Sequence, residues 1–453
     1  MEDIDRQEIL DDIAFLIEAR DEPKLRAIAL GSQPADLADV LMHFDRDHRH
    51  FLFNLLDTET AAGVILELDE ATRHDLVERL EERRITELVG EMESDDAADF
   101  VGELPDEVAN EVLQKIEPEE SAEVQSLMKH EEDTAGGIMA LELIAVAGNQ
   151  TVDQAIQEIR KKAKEVTEVY DVYVVDRSGK LIGTLALQKL ILAGPLMRVS
   201  EIMERDFISV EVGTDQEVVA NLVRKYDLVA MPVVDKEGRL AGRITIDDVV
   251  DVMQEEAVED ISHMAGISSE TSVHEQSVLR ISRVRLPWLI IGLFGGIVAA
   301  LLLSFFENAL KSEILVLLFF VPVVMAMGGN AGIQSSTIIV RGLATGDIDL
   351  SDTWRRLLRE VRVAILNGIL CAIAICFIIM LAWKDPQMGI LVGASLLCVM
   401  FTASIVGASV PLVLKRFDID PAIATGPFIT ISNDILGLFI YMGIASVYFH
   451  YLQ

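Results

Sequence analysis

Apolar positions recur with a period of twelve between residues 33 and 128. Units begin at 33, 45, 57, 69, 81, 93, 105 and 117. Their eighth positions are Val40, Leu52, Val64, Leu76, Leu88, Phe100, Val112 and Val124. Their twelfth positions are Phe44, Leu56, Leu68, Leu80, Met92, Leu104, Ile116 and Met128, and the ninth is apolar in all but Gln125. Units open on acidic or turn-forming residues such as Asp57, Asp69, Glu93 and Pro105. Apolar residues at i, i+1 and i+4 predict one short helix per unit. Successive units then stack into an α-superhelix that buries one seam. The other face is acidic, with Glu91, Glu93, Asp95, Asp96 and Asp99, and the ordinary meaning of such a face is solvation.

From about Gly137 the period shortens. Val172-Tyr173-Val174-Val175-Asp176 followed by Gly179-Lys180-Leu181-Ile182-Gly183 predicts strand, turn and strand. Met231-Pro232-Val233-Val234-Asp235 with Gly238-Arg239-Leu240-Ala241-Gly242 repeats it sixty residues on. Helical stretches near 151–165 and 214–227 precede the two copies. The second copy runs into a predicted helix, Asp247–His263, dense in acids. Like charges at i, i+4 (Asp247/Asp251, Glu255/Glu259, Glu256/Asp260) each destabilise the isolated helix by a few tenths of a kcal/mol. Divalent cations would relieve that repulsion. A polar linker, Ala265–Glu275, follows.

Beyond it the chain is built from uncharged runs: Leu286–Phe306, Ile314–Val340, Val363–Trp383 and Pro386–Leu414. A last stretch, Pro421–Gln453, carries one formal charge, Asp434. Each run reaches the ~20 residues that cross a hydrocarbon core, so five transmembrane helices are predicted. Arg280, Arg283 and Arg285 precede the first. Arg341, Arg355, Arg356, Arg359 and Arg362 lie between the second and third, and Lys415 and Arg416 between the fourth and fifth. The positive-inside rule then gives a multi-pass protein of the cytoplasmic (inner) membrane, N-terminus in the cytoplasm and C-terminus outside.

Charge sharpens this division. The chain of 453 residues has a net charge of −36. Residues 1–280 hold 64 Asp and Glu against 27 Lys and Arg, whereas residues 281–453 hold 10 against 11. Two solvents act on one chain, which excludes a single globular domain. The sign of the excess excludes a nucleic-acid binder. Cys371, Cys376 and Cys398 all lie in the apolar part, so a disulfide framework is excluded. The acidic N-terminus has no signal-peptide pattern. No P-loop, H-E-x-x-H, C-x-x-C or G-x-S-x-G motif occurs, and no enzyme is read.

Asp434 is the expensive residue. It lies about thirteen residues into the last apolar stretch, ~20 Å at 1.5 Å per residue, near mid-membrane. An Asp there costs at least ~2.5–3.5 kcal/mol. No Lys or Arg lies at similar depth, so a bound cation or pore water is the natural counter-charge. Gly328-Gly329-Asn330-Ala331-Gly332-Ile333-Gln334 lies at comparable depth in the second helix and is poor in helix formers. Glycine-exposed carbonyls and the Asn oxygen, joined to a carboxylate, suit a hard divalent cation. The alternative use of those glycines is close helix packing.

The two strand-turn-strand modules resemble tandem CBS domains. The ribose pattern of such domains, a hydroxyl followed three residues later by an acid, is met by Thr245 and Asp248. The first copy has Ala186 and Lys189 there. Pro322-Val323-Val324-Met325-Ala326-Met327-Gly328-Gly329-Asn330-Ala331-Gly332-Ile333-Gln334-Ser335-Ser336-Thr337, then Arg341-Gly342-Leu343-Ala344-Thr345, is similar to the signature of MgtE magnesium transporters. So are Asp420-Pro421-Ala422 and Asn433-Asp434-Ile435-Leu436-Gly437. The resemblance covers nearly the whole chain.

It implies a multidomain architecture. A helical-repeat N domain (1–130) precedes two CBS domains of α+β type (137–197 and 198–254). An acidic connecting or plug helix with its linker (247–275) then leads to a five-helix transmembrane pore domain (276–453). It implies a homodimeric, Mg2+-selective channel in the lipid bilayer. Asp434 is the pore carboxylate, with Asn433, Asn330 and Gly329 as companion donors. Asp95, Asp99, Asp227, Asp248, Asp251, Glu256, Glu259 and Asp260 correspond to regulatory metal ligands, with Asp96 an equal candidate beside Asp95. Mg2+ is thus both permeant and regulatory, and ATP at Thr245 and Asp248 is a second ligand. The rival readings are a CBS-regulated transporter of another divalent cation, such as Co2+ or Mn2+, and a non-conducting nucleotide-sensing receptor.

Overall fold

The computed structural model describes residues 2–162, 169–264, 278–310, 314–344, 348, 353–417, 419–424 and 426–451. The linker Ala265–Glu275 lies outside the described residues. The chain forms two compact units, Met1–Gln254 and Glu255–Gln453.

The first unit begins with ten helices: α1 (Glu2–Glu18), α2 (Glu22–Leu30), α3 (Pro34–Met42), α4 (Arg46–Phe53), α5 (Thr58–Leu66), α6 (Glu70–Val77), α7 (Glu82–Val89), α8 (Ser94–Glu103), α9 (Asp106–Lys115) and α10 (Pro118–Leu127). From α3 onward each twelve-residue unit is one helix, and the first residue of each unit is its N-cap. At Asp45, Asp57 and Asp69 the N-cap carboxylate accepts hydrogen bonds from backbone N–H groups of the first turn, satisfying donors that a helix start leaves bare. Packing alternates: α3 on α5, α5 on α7 and α7 on α9, with α4 on α6 and α8 on α10. The seam residues Phe53, Val64, Leu88, Val101 and Val112 are fully buried. Repeats that contact every second neighbour form the two-layered superhelix that the period requires.

Two three-stranded sheets follow. In the first, β1 (Ala145–Ala147) runs parallel to β2 (Asp171–Val175), which is antiparallel to β3 (Leu181–Ala186). In the second, β4 (Val210–Glu211), β5 (Ala230–Val234) and β6 (Leu240–Thr245) repeat that order and orientation. Register breaks at matching sites, Val174/Val175 and Val233/Val234. The hairpin turns need Gly179 and Gly238, whose φ values are +82° and +79°. The Leu181 N–H donates to the Gly238 carbonyl and the Leu240 N–H to that of Gly179, joining the modules at their tips.

Helices α11 (Val152–Lys162), α12 (Leu187–Leu192) and α13 (Val199–Ile202) belong to the first module, and α14 (Gln216–Tyr226) to the second. The first module has its own apolar core around Val172, Val174 and Leu185. The second shares one continuous core with the helical repeats, including Met139, Val219, Met231 and Ile244. The stretch before β1 is what joins them. The Ala135 and Gly136 N–H groups donate to Thr214 and Val212, and Ala140 exchanges two backbone hydrogen bonds with Arg243. Helix α15 (Ile246–Met264) leaves β6 and spans the boundary between the units.

The second unit contains α16 (Val278–Leu310), α17 (Ile314–Leu318), α18 (Val321–Ala344), α19 (Thr353–Trp383), α20 (Pro386–Arg416), a 3-10 turn (Ala422–Ala424) and α21 (Pro427–Tyr451). Among the described residues, five helices are long and apolar enough to cross a membrane: Ile281–Phe306, Val316–Ala344, Trp354–Trp383, Pro386–Arg416 and Phe428–His450. The second run departs from the single helix expected of it. The chain turns at Phe319–Phe320, where Pro322 lacks the N–H that would continue α17. The Leu317 carbonyl accepts from the Phe320 N–H and from the buried Tyr441 hydroxyl at 2.9 Å. Helix α20 packs on α18 and α19, and α21 on α16, α18 and α20.

Candidate functional site

In the first unit the candidate centre forms where the start of α8 meets the start of α15. Glu93 is the N-cap of α8, and Asp95 and Asp96 occupy its first turn. Acids are welcome at that end of a helix dipole, but here they are not solvated. Asp95 is only 7% exposed. Burial, then the charges of Asp248 and Asp96, push its carboxyl well above the ordinary range. Burial, then Asp248, Glu93, Asp99 and Asp247, push Asp96 up to about 7. From the facing helix, Asp248 is raised to about 6, chiefly by burial, despite the lowering effect of hydrogen bonds from Thr245. Asp251, one turn on, is raised by burial and by Asp247. These groups release their protons at higher pH than solvated carboxylates do.

Metal-independent contacts align the two helices. Arg243 on β6, 4% exposed, places Nη2 at 3.3 Å from Glu93 Oε2. Glu142, from the stretch before β1, accepts hydrogen bonds from the Ser94 N–H at 3.0 Å and the Ser94 hydroxyl at 2.7 Å. Thr245 donates from its N–H and hydroxyl to Asp248 Oδ2 at 2.8 and 2.7 Å. In that T-x-x-D arrangement the acid reaches back to the N–H that precedes α15, as the acid of a capping box does, and the same pattern is the hydroxyl-acid pair expected to hold a ribose.

The other expected regulatory ligands are placed as follows. Asp99 is exposed on α8. Asp227 is exposed and left-handed (φ +52°), closing α14 as its C-cap. Glu256, Glu259 and Asp260 belong to the second unit, on the C-terminal half of α15. There Glu259 lies 3.6 Å from His263, whose Nδ1 is 2.8 Å from Asp420 Oδ2 ahead of α21. Among the described residues no three carboxylate or imidazole groups converge as an inner-sphere metal cage. The donor set is carboxylate oxygen, the ligand type of a hard divalent cation such as Mg2+.

The candidate centre of the second unit is the middle of α21. Asp434 is half-buried and its neighbour Asn433 is buried. The Asn433 Nδ2 donates to the Gly328 carbonyl at 3.5 Å. The glycine-rich segment is an uninterrupted part of α18, and most of its glycines serve packing. A Cβ at Gly332 would overlap the Asn433 amide, and one at Gly328 would come within 2.7 Å of Val399. A Cβ at Gly407 would overlap the Gly332 carbonyl. Gly329 alone of these faces open space, and the adjacent Asn330 is exposed. Small residues thus let α18, α20 and α21 approach closely around Asn433, which anchors the turn that carries Asp434.

Sequence reasoning passed over Arg243 and Glu142. A basic residue inside the otherwise uncharged strand Leu240–Thr245 was the available signal for the first. Nothing local marked the second, because its partner Ser94 lies 48 residues away.

Comparisons with known proteins place the same domains in the same order. Residues 321–444 match the MgtE family model, described as a divalent cation transporter. Residues 32–133 match the MgtE intracellular N domain, and residues 135–195 and 199–255 match the CBS domain. A magnesium transporter MgtE of Thermus thermophilus is 40% identical over 329 residues, 72% of each chain. One from Enterococcus faecalis is 36% identical over 328 residues, again 72% of each. The crystal structure of the cytosolic domain of the Mg2+ channel MgtE in complex with ATP superposes with a TM-score of 0.52 at 35% identity. It covers 54% of this chain and 99% of that one.

Proposed function

The chain belongs to the MgtE family of magnesium transporters, and from that premise we propose that it is a homodimeric Mg2+ channel closed by cytoplasmic Mg2+. Mg2+ flows inward, largely hydrated, past one Asp434 from each subunit, with Asn330 and the Gly329 carbonyl as companion oxygens and Asn433 positioning the carboxylate. Outer-sphere binding is expected because Mg2+ releases its water reluctantly. The C-terminus faces the outside.

The observation that carries the gating half is the set of crowded carboxylates between α8 and α15. Asp95 is buried and Asp96 and Asp248 are half-buried beside it, at a cost that protons relieve at low pH. Mg2+ relieves the same cost at neutral pH. At low cytoplasmic Mg2+ the acidic faces repel and the N domain separates. When Mg2+ rises, ions bridge Asp95, Asp96 and Asp248, with Asp99, Asp227 and Asp251 in support. Glu256, Glu259 and Asp260 serve the lower half of the connecting helix, and the pore closes. Permeant ion and regulator are one species, which gives negative feedback.

An adenine nucleotide bound at the second CBS module would compete for the Thr245–Asp248 pair and so couple to the same centre. Protease resistance of residues 1–264 in the full chain tests the gating reading. Mg2+ is expected to raise it, and identical digestion with and without Mg2+ contradicts the reading. Liposome flux of Mg2+ against Co2+ and Mn2+ tests selectivity, and a protein that passes none of them is the non-conducting receptor instead.

A further inference from the structure

We infer that Arg243 is a resident cation of the sensor, doing permanently part of what Mg2+ does on demand; this rests on the gating reading above. The guanidinium is almost fully buried and lies 3.3 Å from Glu93, the N-cap of the helix that carries Asp95 and Asp96. Its backbone is fixed by two hydrogen bonds with Ala140, at 2.8 and 2.9 Å. Arg243 sits on β6 of the second module, while Glu93 belongs to the N domain that must dock. A buried cation without its partner is strongly unfavourable, and here the arginine is the buried member while Glu93 stays partly exposed, so the pair rewards docking in the absence of metal.

Charge sets the direction of the effect. Glu93, Asp95, Asp96, Asp99, Asp247 and Asp248 form one electrostatically linked set. Fully ionised they carry six negative charges, and Arg243 leaves five. A single Mg2+ leaves three. With Arg243 removed, the same ion leaves four, and docking is harder at every Mg2+ concentration. Removing Glu93 together with Arg243 restores the original balance. Arg243 thereby lowers the Mg2+ level at which the sensor closes and keeps a fraction of N domains docked when none is present.

The experiment is limited proteolysis of the full chain in detergent across a Mg2+ series, for wild type, Arg243→Met, Arg243→Lys and Glu93→Gln/Arg243→Met. Arg243→Met is expected to raise the Mg2+ midpoint of protection about fivefold, the size expected of a partly buried ion pair, and to abolish residual protection in chelator. Arg243→Lys and the double variant are expected to return the midpoint to about the wild-type value. A merely structural arginine would lower protection at saturating Mg2+ in both Arg243→Met and the double variant, with no rescue. An unmoved midpoint in Arg243→Met, or a double variant no closer to wild type than the single one, overturns the inference while leaving the gating reading intact. A wild type without any Mg2+ midpoint overturns both.

Discussion

The two carboxylate centres solve opposite problems. Between α8 and α15 several acids are gathered so that they disturb one another, and Asp95, Asp96 and Asp248 are all pushed toward the protonated form. In α21 a single acid, Asp434, follows a neutral amide, Asn433, that packs against Gly328 and Gly332. The first centre is a frustrated interface whose energy a cation can change, which suits a switch. The second is a fixed donor on a closely packed scaffold, which suits a conduit.

The largest expected effect separates them outright. Asp434→Ala should reduce Mg2+ flux into liposomes to the level of protein-free vesicles while leaving Mg2+-dependent protease protection unchanged. Loss of protection together with flux would mean that the two centres are not separable.

Next in size is neutralisation of the switch. Asp95→Asn with Asp96→Asn removes buried charge that docking must otherwise offset. A single pKa unit corresponds to about a tenfold change in an equilibrium, and Asp96 stands well above its ordinary value of 3.8. The double variant should show protection without added Mg2+ and at least about a tenfold weaker dependence on it. An unchanged Mg2+ midpoint would remove these residues from the sensor.

The pH dependence follows from the same groups. Their docked pKa values lie above the free ones, so docking favours the protonated forms. Metal-free docking is therefore strongest below the ordinary carboxylate range. It weakens as pH rises from about 4 through about 7, as Asp248 and then Asp96 ionise, and weakens further as Asp95, also raised, gives up its proton. Protection in chelator should be clearly greater at pH 5.5 than at pH 8, and saturating Mg2+ should flatten the difference. A metal-free profile that is flat, or that rises with pH, contradicts the assignment.

The smallest effect probes the scaffold of the conduit. Gly332→Ala puts a methyl group against the Asn433 amide and should destabilise the membrane unit by about 1–3 kcal/mol. Thermal unfolding in detergent reads this as a lower midpoint, with the sensor's Mg2+ response intact.

Much of this was legible in the sequence because local chemistry set it. The twelve-residue period located every helix from α3 to α10, since each unit begins with its own cap. The hairpins showed themselves through Gly179 and Gly238, and the membrane helices through uncharged length. What stayed hidden was tertiary. Acidic residues on α8 read as a solvated face, and nothing local reveals that Asp95 is buried against Asp248, 153 positions away in the sequence. The glycines of α18 left ion coordination and packing open. The structure assigns Gly328 and Gly332 to packing through Val399 and Asn433, neighbours that only the folded bundle supplies. The break at Phe319–Phe320 was concealed inside a run whose apolar character never changes.

The central claim is that one ion both permeates and closes this protein. Its most direct test is electrical recording of the reconstituted full chain while Mg2+ on the side of the N domain is varied. Mg2+-carried current should fall in steps toward zero as that Mg2+ rises, and return when it is chelated. A current that is indifferent to Mg2+ on that side would contradict the account.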